Sequence, residues 1–192
     1  MCLLGIFLKP FVMKNKFLFT GLFALLILCT KGFSQITPTI NKLPTSDGKK
    51  SLYIASYPIM ARESDDKSIM LAPQFTTDDK TDSLSGITGL KVFAKGIGKC
   101  FLHDTLQLSF ENGKKLKMIS ASPIFCDQQL SGWFNMNKEE LTTLFSSPII
   151  QINFKNAKSG ETFTQDFTDK NNQEYFIEIK KVFDMLAMQK PA

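Results

Sequence analysis

The sequence predicts an α+β fold: a mainly antiparallel β-sheet with a short helix near 138–145 and a C-terminal amphipathic helix near 172–188. Three observations point there. Alternating apolar runs are joined by tight polar turns, as at Glu111-Asn112-Gly113 and at 156–160, and strands joined that way pair antiparallel. Asn137 precedes Glu140 by three residues, the spacing of a capping box. Phe176, Ile179, Phe183 and Leu186 recur at helical spacing, widened by Tyr175 and Val182. Such elements pack as a sheet with one or two helices on a face.

The N-terminal region changes the meaning of everything after it. Residues 13–35 have the form of a secretory signal peptide. Lys14 and Lys16 make a positive start, residues 17–28 carry no charge, and Gly32 and Ser34 are small residues at −3 and −1 of a cut before Gln35. Starting at Met13 gives well-proportioned regions, whereas 1–12 adds a second apolar patch broken by Lys9-Pro10. The uncharged run falls short of the ~20 residues that span a bilayer. Cys29 follows bulky Leu28, where a lipidation signal wants a small residue, so it is read as discarded with the signal. The expected organisation is a signal peptide over 1–34, a flexible Thr/Pro/Lys-rich segment over 35–50, and a single domain over 51–192.

Removing 1–34 leaves 158 residues, enough for one sizeable core. The net charge of +5 then largely vanishes. Lys9, Lys14, Lys16 and Lys31 leave, and 19 basic residues face 18 acidic ones, with Arg62 the single arginine. No basic surface suited to nucleic acid is expected. Cys2 and Cys29 leave as well. Cys100 and Cys126 remain, and an even pair in an exported chain predicts a disulfide. A loop of that length stabilises by roughly 3–4 kcal/mol on the chain-entropy estimate. His103 is the only histidine, so no metal site and no cofactor are expected.

Along the domain, 51–57 reads as a strand stopped by Pro58, and 69–75 as a weaker one interrupted by Pro73. Residues 76–85 hold Asp78, Asp79 and Asp82 beside Lys80, read as a solvated acidic loop without the ligand spacing of a calcium loop. Residues 90–94 are a strand. Residues 101–110 are a longer one, with Leu102, Leu106, Leu108 and Phe110 on one face. The return strand covers 114–121, and turn length sets its register. A two-residue loop would place lysines opposite Leu108 and Phe110. A three-residue loop with Gly113 at a bulge pairs Leu108 with Leu116 and Leu106 with Met118. That register, extended, sets 100 opposite 124 and 98 opposite 126, which would make the two cysteines diagonal neighbours.

Met136 and Leu141 occupy the two positions of a hydrophobic staple around the helix start, and Pro148 follows its end. Leu141, Leu144 and Phe145 are its buried stripe. Residues 149–154 form a strand with Ile150, Ile152 and Phe154 on one face. Residues 161–167 pair with it through Phe163 and Phe167.

Candidate chemistry is sparse. His103-Asp104 is the one acid–base seed, but neighbours on a strand face opposite sides. No Gly-x-Ser-x-Gly turn supplies a nucleophile. Gly96-Ile97-Gly98-Lys99 lacks phosphate-loop spacing and has Cys100 in the hydroxyl's place. Glu139 and Glu140 suit a helix N-terminus structurally. Trp133, read in a loop beside Phe134, is either a core plug or an exposed partner contact.

The run Cys100…Asp104…Phe110-Glu111-Asn112-Gly113…Cys126, then Ser147-Pro148-Ile149-Ile150-Gln151-Ile152 and Tyr175-Phe176, resembles small uncharacterised exported bacterial proteins. It covers 90–186, and its motifs are structural: a hairpin, a disulfide and a helix stop. The resemblance implies export and carries over no activity of its own. The expected function is an exported binding or envelope-associated protein, periplasmic, surface-held or secreted, without catalysis. Its expected partner is an envelope protein. The alternatives are a small secreted hydrolase using His103 or carboxylates, and a protein tethered by an uncleaved 17–28 anchor, the one contact with a membrane expected here.

Overall fold

Two antiparallel sheets share one apolar core. The computed structural model describes residues 37–97, 103–126 and 129–188, with backbone alone for 122–126 and 129–131. The expected signal segment, its cut between Ser34 and Gln35, and Cys100 lie outside the described residues, as does the Cys126 side chain. The expected disulfide therefore lies outside them too.

The strands are β1 (Ile40–Pro44), β2 (Ser51–Ala55), β3 (Ile59–Ser64), β4 (Lys67–Thr77), β5 (Leu84–Lys95), β6 (Thr105–Phe110), β7 (Lys115–Ile119), β8 (Ser122–Cys126) and β9 (Gln129–Asn135). Helix α1 (Lys138–Leu144), β10 (Ile149–Lys155), β11 (Thr162–Asp166) and α2 (Lys170–Met188) complete the described chain. One sheet runs β3-β4-β5-β9-β8, the other β11-β10-β6-β7, and β1-β2 is a separate hairpin. The two large sheets draw together where β3 comes near β11 and β7 near β9. The α+β class holds, with most of the structure in antiparallel strands.

The core follows strand parity. Ile69 and Leu71 of β4, Leu90, Val92 and Ala94 of β5, and Phe134 of β9 are buried from one sheet. Leu106, Leu108, Phe110, Ile152, Phe154 and Phe163 meet them from the other. Each fully buried side chain of this size contributes about 1.5–3 kcal/mol. The β6-β7 hairpin has the three-residue turn: Leu108 faces Leu116 and Leu106 faces Met118. Phe110 N donates to Lys114 O at 3.0 Å, and Gly113 takes φ +80°, which only glycine adopts without strain.

The extended register does not continue. β6 begins at Thr105, because His103 turns the chain at φ +59°. Beyond Ile119 the chain leaves β6, and β8 pairs with β9 in the other sheet. The backbone of Cys126 therefore lies on β8, outside the β6-β7 hairpin. β10 departs from expectation by one residue. A bulge between Ile149 and Gln151 puts two residues of β10 opposite one of β6. Ile149 is buried, and Ile150 is 40% exposed rather than inward.

Pro73 sits inside an 11-residue strand without breaking it. The pairing of β3 to β4 stops at Leu71, so the missing N–H leaves no gap on that side. Residues 35–50, expected as a flexible segment, contribute β1. It pairs with β2 from Ile40 opposite Ala55 to Pro44 opposite Ser51.

Helix α1 has its capping box. Asn137 Oδ1 accepts from the N–H groups of Glu139 and Glu140 at 2.9 Å, and Glu140 Oε2 accepts from Asn137 N at 2.8 Å. Helix α2 touches β1, β3, β5 and β10. It buries Tyr175, Phe176 and Ile179. The stripe emerges from the core further on: Phe183 is half-buried and Leu186 exposed. Among the described residues no helix is long and apolar enough to cross a membrane.

Candidate functional site

The outward face of the five-stranded sheet is where unusual residues gather. On β5, the core claims Leu90, Val92 and Ala94, so Lys91 and Phe93 must face outward. On β9, buried Phe134 fixes Trp133 outward by the same alternation. Lys91 stands directly opposite Trp133 across the ladder. Its Nζ lies 5.0 Å from the Trp133 ring centre and 4.8 Å from that of Phe93. An ammonium over an aromatic face is held by about 0.5–2 kcal/mol, depending on how dry the site is.

A groove of 320 Å³ lies over these residues. Its far wall is β2, with Leu52 and Ile54, and its floor includes Pro73 and Gln74 of β4. Leu52 is 56% exposed, a large apolar side chain left in the open beside an aromatic wall. Gln74 Oε1 is buried without a hydrogen-bond partner. Lys91 is the one charged side chain among the described lining residues. The groove is at the small end of the ~300–1,000 Å³ typical of ligand sites.

The hairpin wall is held by the acidic loop between β4 and β5. Asp82 accepts from Ser51 N at 2.8 Å and from the Ser51 hydroxyl at 2.5 Å, and pairs with Lys42 at 3.3 Å. The Tyr53 hydroxyl donates to Asp82 O at 2.8 Å. These bonds, the Ser51 hydroxyl foremost, hold the Asp82 carboxyl below its ordinary value. Lys50 pairs with Asp79, and Asp78 accepts from the Lys80 and Thr81 N–H groups of its own turn. The loop read as merely solvated is thus the latch of β1-β2. From the other side, the Tyr175 hydroxyl of α2 reaches Ser56 O at 3.5 Å.

His103 and Asp104 do not act together. His103 is exposed on a left-handed turn. Asp104 is fully buried and accepts from Ala157 N at 2.5 Å and Asn156 Nδ2 at 3.3 Å. Its backbone is joined to Ser120 twice, N to Oγ at 3.0 Å and O from N at 2.9 Å. Burial pushes the Asp104 carboxyl above its ordinary value, against the pull of the Ala157 and Asn156 bonds. This residue pins the turn after β10 to the start of β6. Glu139 and Glu140 serve the α1 cap. Gly96 takes φ +69°, and a Cβ there would stand 2.0 Å from Asp66 O, so its role is close packing.

A second depression of 500 Å³ lies between the helices, with Leu141, Phe145 and Phe183 around it and Lys138 and Lys180 beside them. Lys180 is already paired with Asp184. Among the described residues no group of three or more His, Cys, Asp or Glu is placed to hold a metal ion.

Of the described candidate site residues read from sequence, only Trp133 lies in the groove, and it sits on a strand rather than in a loop. Lys91, Phe93, Gln74, Leu52 and Ile54 were not anticipated. The available signal was parity: an apolar Leu90-x-Val92-x-Ala94 stripe forces a lysine and a phenylalanine onto the open face. Compared with known protein families, curated proteins and solved structures, the chain finds no match, so the reading of this site rests on its geometry.

Proposed function

We propose that this protein is an exported binding protein, periplasmic, surface-held or secreted, that acts without catalysis. Its ligand site is the groove between β2 and the outward face of β4, β5 and β9. One observation carries this reading: Lys91, lying against Trp133 and Phe93, is the lone charge among the described lining residues of an apolar groove that also holds an unpartnered buried oxygen. Exposed aromatic and aliphatic walls with a few polar groups are what ligand sites are made of.

Export is supported by the signal-like residues 13–35 and by the even cysteine pair that remains after residue 34. The Cys100–Cys126 disulfide belongs to the same proposal. So does an envelope partner as the source or recipient of the ligand.

Two measurements test it. The exported protein, analysed by mass spectrometry, begins at Gln35. A mixed fragment library mapped by amide chemical shifts then clusters its hits on Leu52, Ile54, Gln74, Lys91 and Trp133. Hits spread over the surface, or no hits in the groove, overturn the binding reading.

A further inference from the structure

The geometry points to a ligand class for this groove, resting on the reading that it is a binding site: an apolar carboxylate with an N–H beside it. That is the chemistry of an acylated apolar amino acid, and equally of a peptide's C-terminal residue.

Charge selects the carboxylate. Lys91 is the one charged residue among the described lining, and it makes no ion pair with a described carboxylate. Its ammonium rests on the Trp133 and Phe93 faces, which hold it in place but leave its hydrogen-bond donors without an anion. A charge-assisted bond from an ammonium to a carboxylate is among the stronger contacts a groove can offer.

Gln74 selects the N–H. Lys91 faces Ala72 across the ladder, and Gln74 is the next outward residue of β4. The two are therefore diagonal neighbours, roughly 7–8 Å apart at the backbone and within reach of long side chains. Gln74 Oε1 lacks a donor, and a buried acceptor left unpaired is costly. A ligand that gives its carboxylate to Lys91 and its adjacent N–H to Gln74 meets both needs at once.

The walls select the apolar body. Leu52, Ile54 and Ala72 surround the space with Trp133, and 320 Å³ suits one acylated residue better than a long chain. Among the described lining residues there is neither an acidic residue nor a second cation, so a dianion or a cationic ligand finds less.

The test uses Trp133, the single tryptophan of the chain, as the reporter. The exported protein is titrated with N-acetyl-leucine, N-acetyl-leucinamide, octanoate and the tripeptide Ala-Ala-Leu. N-acetyl-leucine is expected to change the Trp133 emission saturably. Its neutral amide is expected to bind roughly ten- to hundredfold more weakly, as is N-acetyl-leucine to Lys91→Met. Octanoate, which has no N–H, is expected to fall between them. A response to the tripeptide alone assigns the ligand to a peptide C-terminus, and an equal response to both assigns it to the free acylated residue; either supports the ligand class. The neutral amide binding as well as the acid overturns it, as does octanoate matching N-acetyl-leucine. If none of these binds while fragments still map to the groove, the ligand class fails and the binding site stands. Circular dichroism checks that Lys91→Met is folded, and the acid–amide comparison needs no variant.

Discussion

Replacing Gly89 with alanine probes the close backbone approach of β5 to β9 and the placement of the groove together. Gly89 lies opposite Gln74 on one side and Asn135 on the other. A Cβ at this position would stand 2.2 Å from Phe134 O and 3.1 Å from Asn135 Cα. That is roughly 1 Å inside the ~3.3 Å at which carbon and carbonyl oxygen normally touch. The obstacle is backbone, so no side chain can swing away. β9 must shift, and the bond from Met136 N to Thr88 O at 2.8 Å must stretch with it. Forced overpacking of this kind costs about 1–3 kcal/mol. For a chain of this length each kcal/mol is worth ~2–4 °C, so the melting temperature should fall by roughly 2–12 °C. Thermal unfolding by circular dichroism measures it. Trp133, two residues before Asn135, should shift its emission in the folded variant. Gly113→Ala is the comparison, since it meets no atom within 4 Å and carries only the strain of φ +80°. It should destabilise by about 1–2 kcal/mol without touching the Trp133 emission. A Gly89→Ala protein that melts within about 1 °C of the parent would refute the close approach of β5 and β9.

Three further outcomes follow from the same geometry. Asp82→Ala should free the β1-β2 hairpin, seen as faster hydrogen exchange over 40–55 with the core unchanged. Because the folded Asp82 carboxyl titrates below 3.8, its contribution is present above that value and lost as pH falls through the folded one, so acid should loosen the hairpin before the sheets. Asp104 has the opposite sign: its folded carboxyl titrates above 3.8, so its protonated form favours folding and stability falls as pH rises through the folded value. Asp104→Asn should flatten that part of a stability–pH curve measured by urea unfolding. Asn137→Ala removes the acceptor for two N–H groups of α1 and should cost about 1 kcal/mol by the same assay.

Much of the fold was legible where local chemistry is decisive. Asn137 and Glu140 announce α1, because few other arrangements satisfy the orphan donors of a helix start. Gly113 announces the β6-β7 register, because a two-residue turn would have turned lysines inward. The misses share a cause. β1, β3, β8 and β9 are short and carry Pro, Ser, Gly or Gln at positions that tertiary pairing tolerates, so their alternation is weak in sequence. The bulge at Ile149–Gln151 is a non-local feature, set by the partner strand rather than by β10 itself. The long apolar stripe of α2 overstated its burial, because periodicity shows which face is apolar but not how far the core extends beneath it. The groove was hidden for a related reason. Its residues come from β2, β4, β5 and β9, and only sheet order brings Lys91, Trp133 and Gln74 together.

That origin bears on how the site is held. Lys91 lies between Leu90 and Val92, and Trp133 beside Phe134, with each of those neighbours fully buried. A one-residue slip of β5 would send Lys91 into the core and Leu90 and Val92 into solvent, and the cost of both excludes it. The same core contacts that stabilise the sandwich therefore aim the groove's cation and its aromatic wall. Residues fixed in this way are set on rigid strands rather than on loops, which is the arrangement that holds a site to its geometry without a ligand. The opposite wall is different in kind. β1-β2 belongs to neither large sheet and is joined to the β4-β5 loop chiefly through Asp82. Rigidity on one side and a polar latch on the other predict that ligand binding moves the hairpin and leaves the sheet in place. Amide exchange with and without a bound ligand should then differ over 40–55, and not over β5 and β9. Equal protection changes on both walls would mean that the groove opens by distorting the sheet, against the argument from burial.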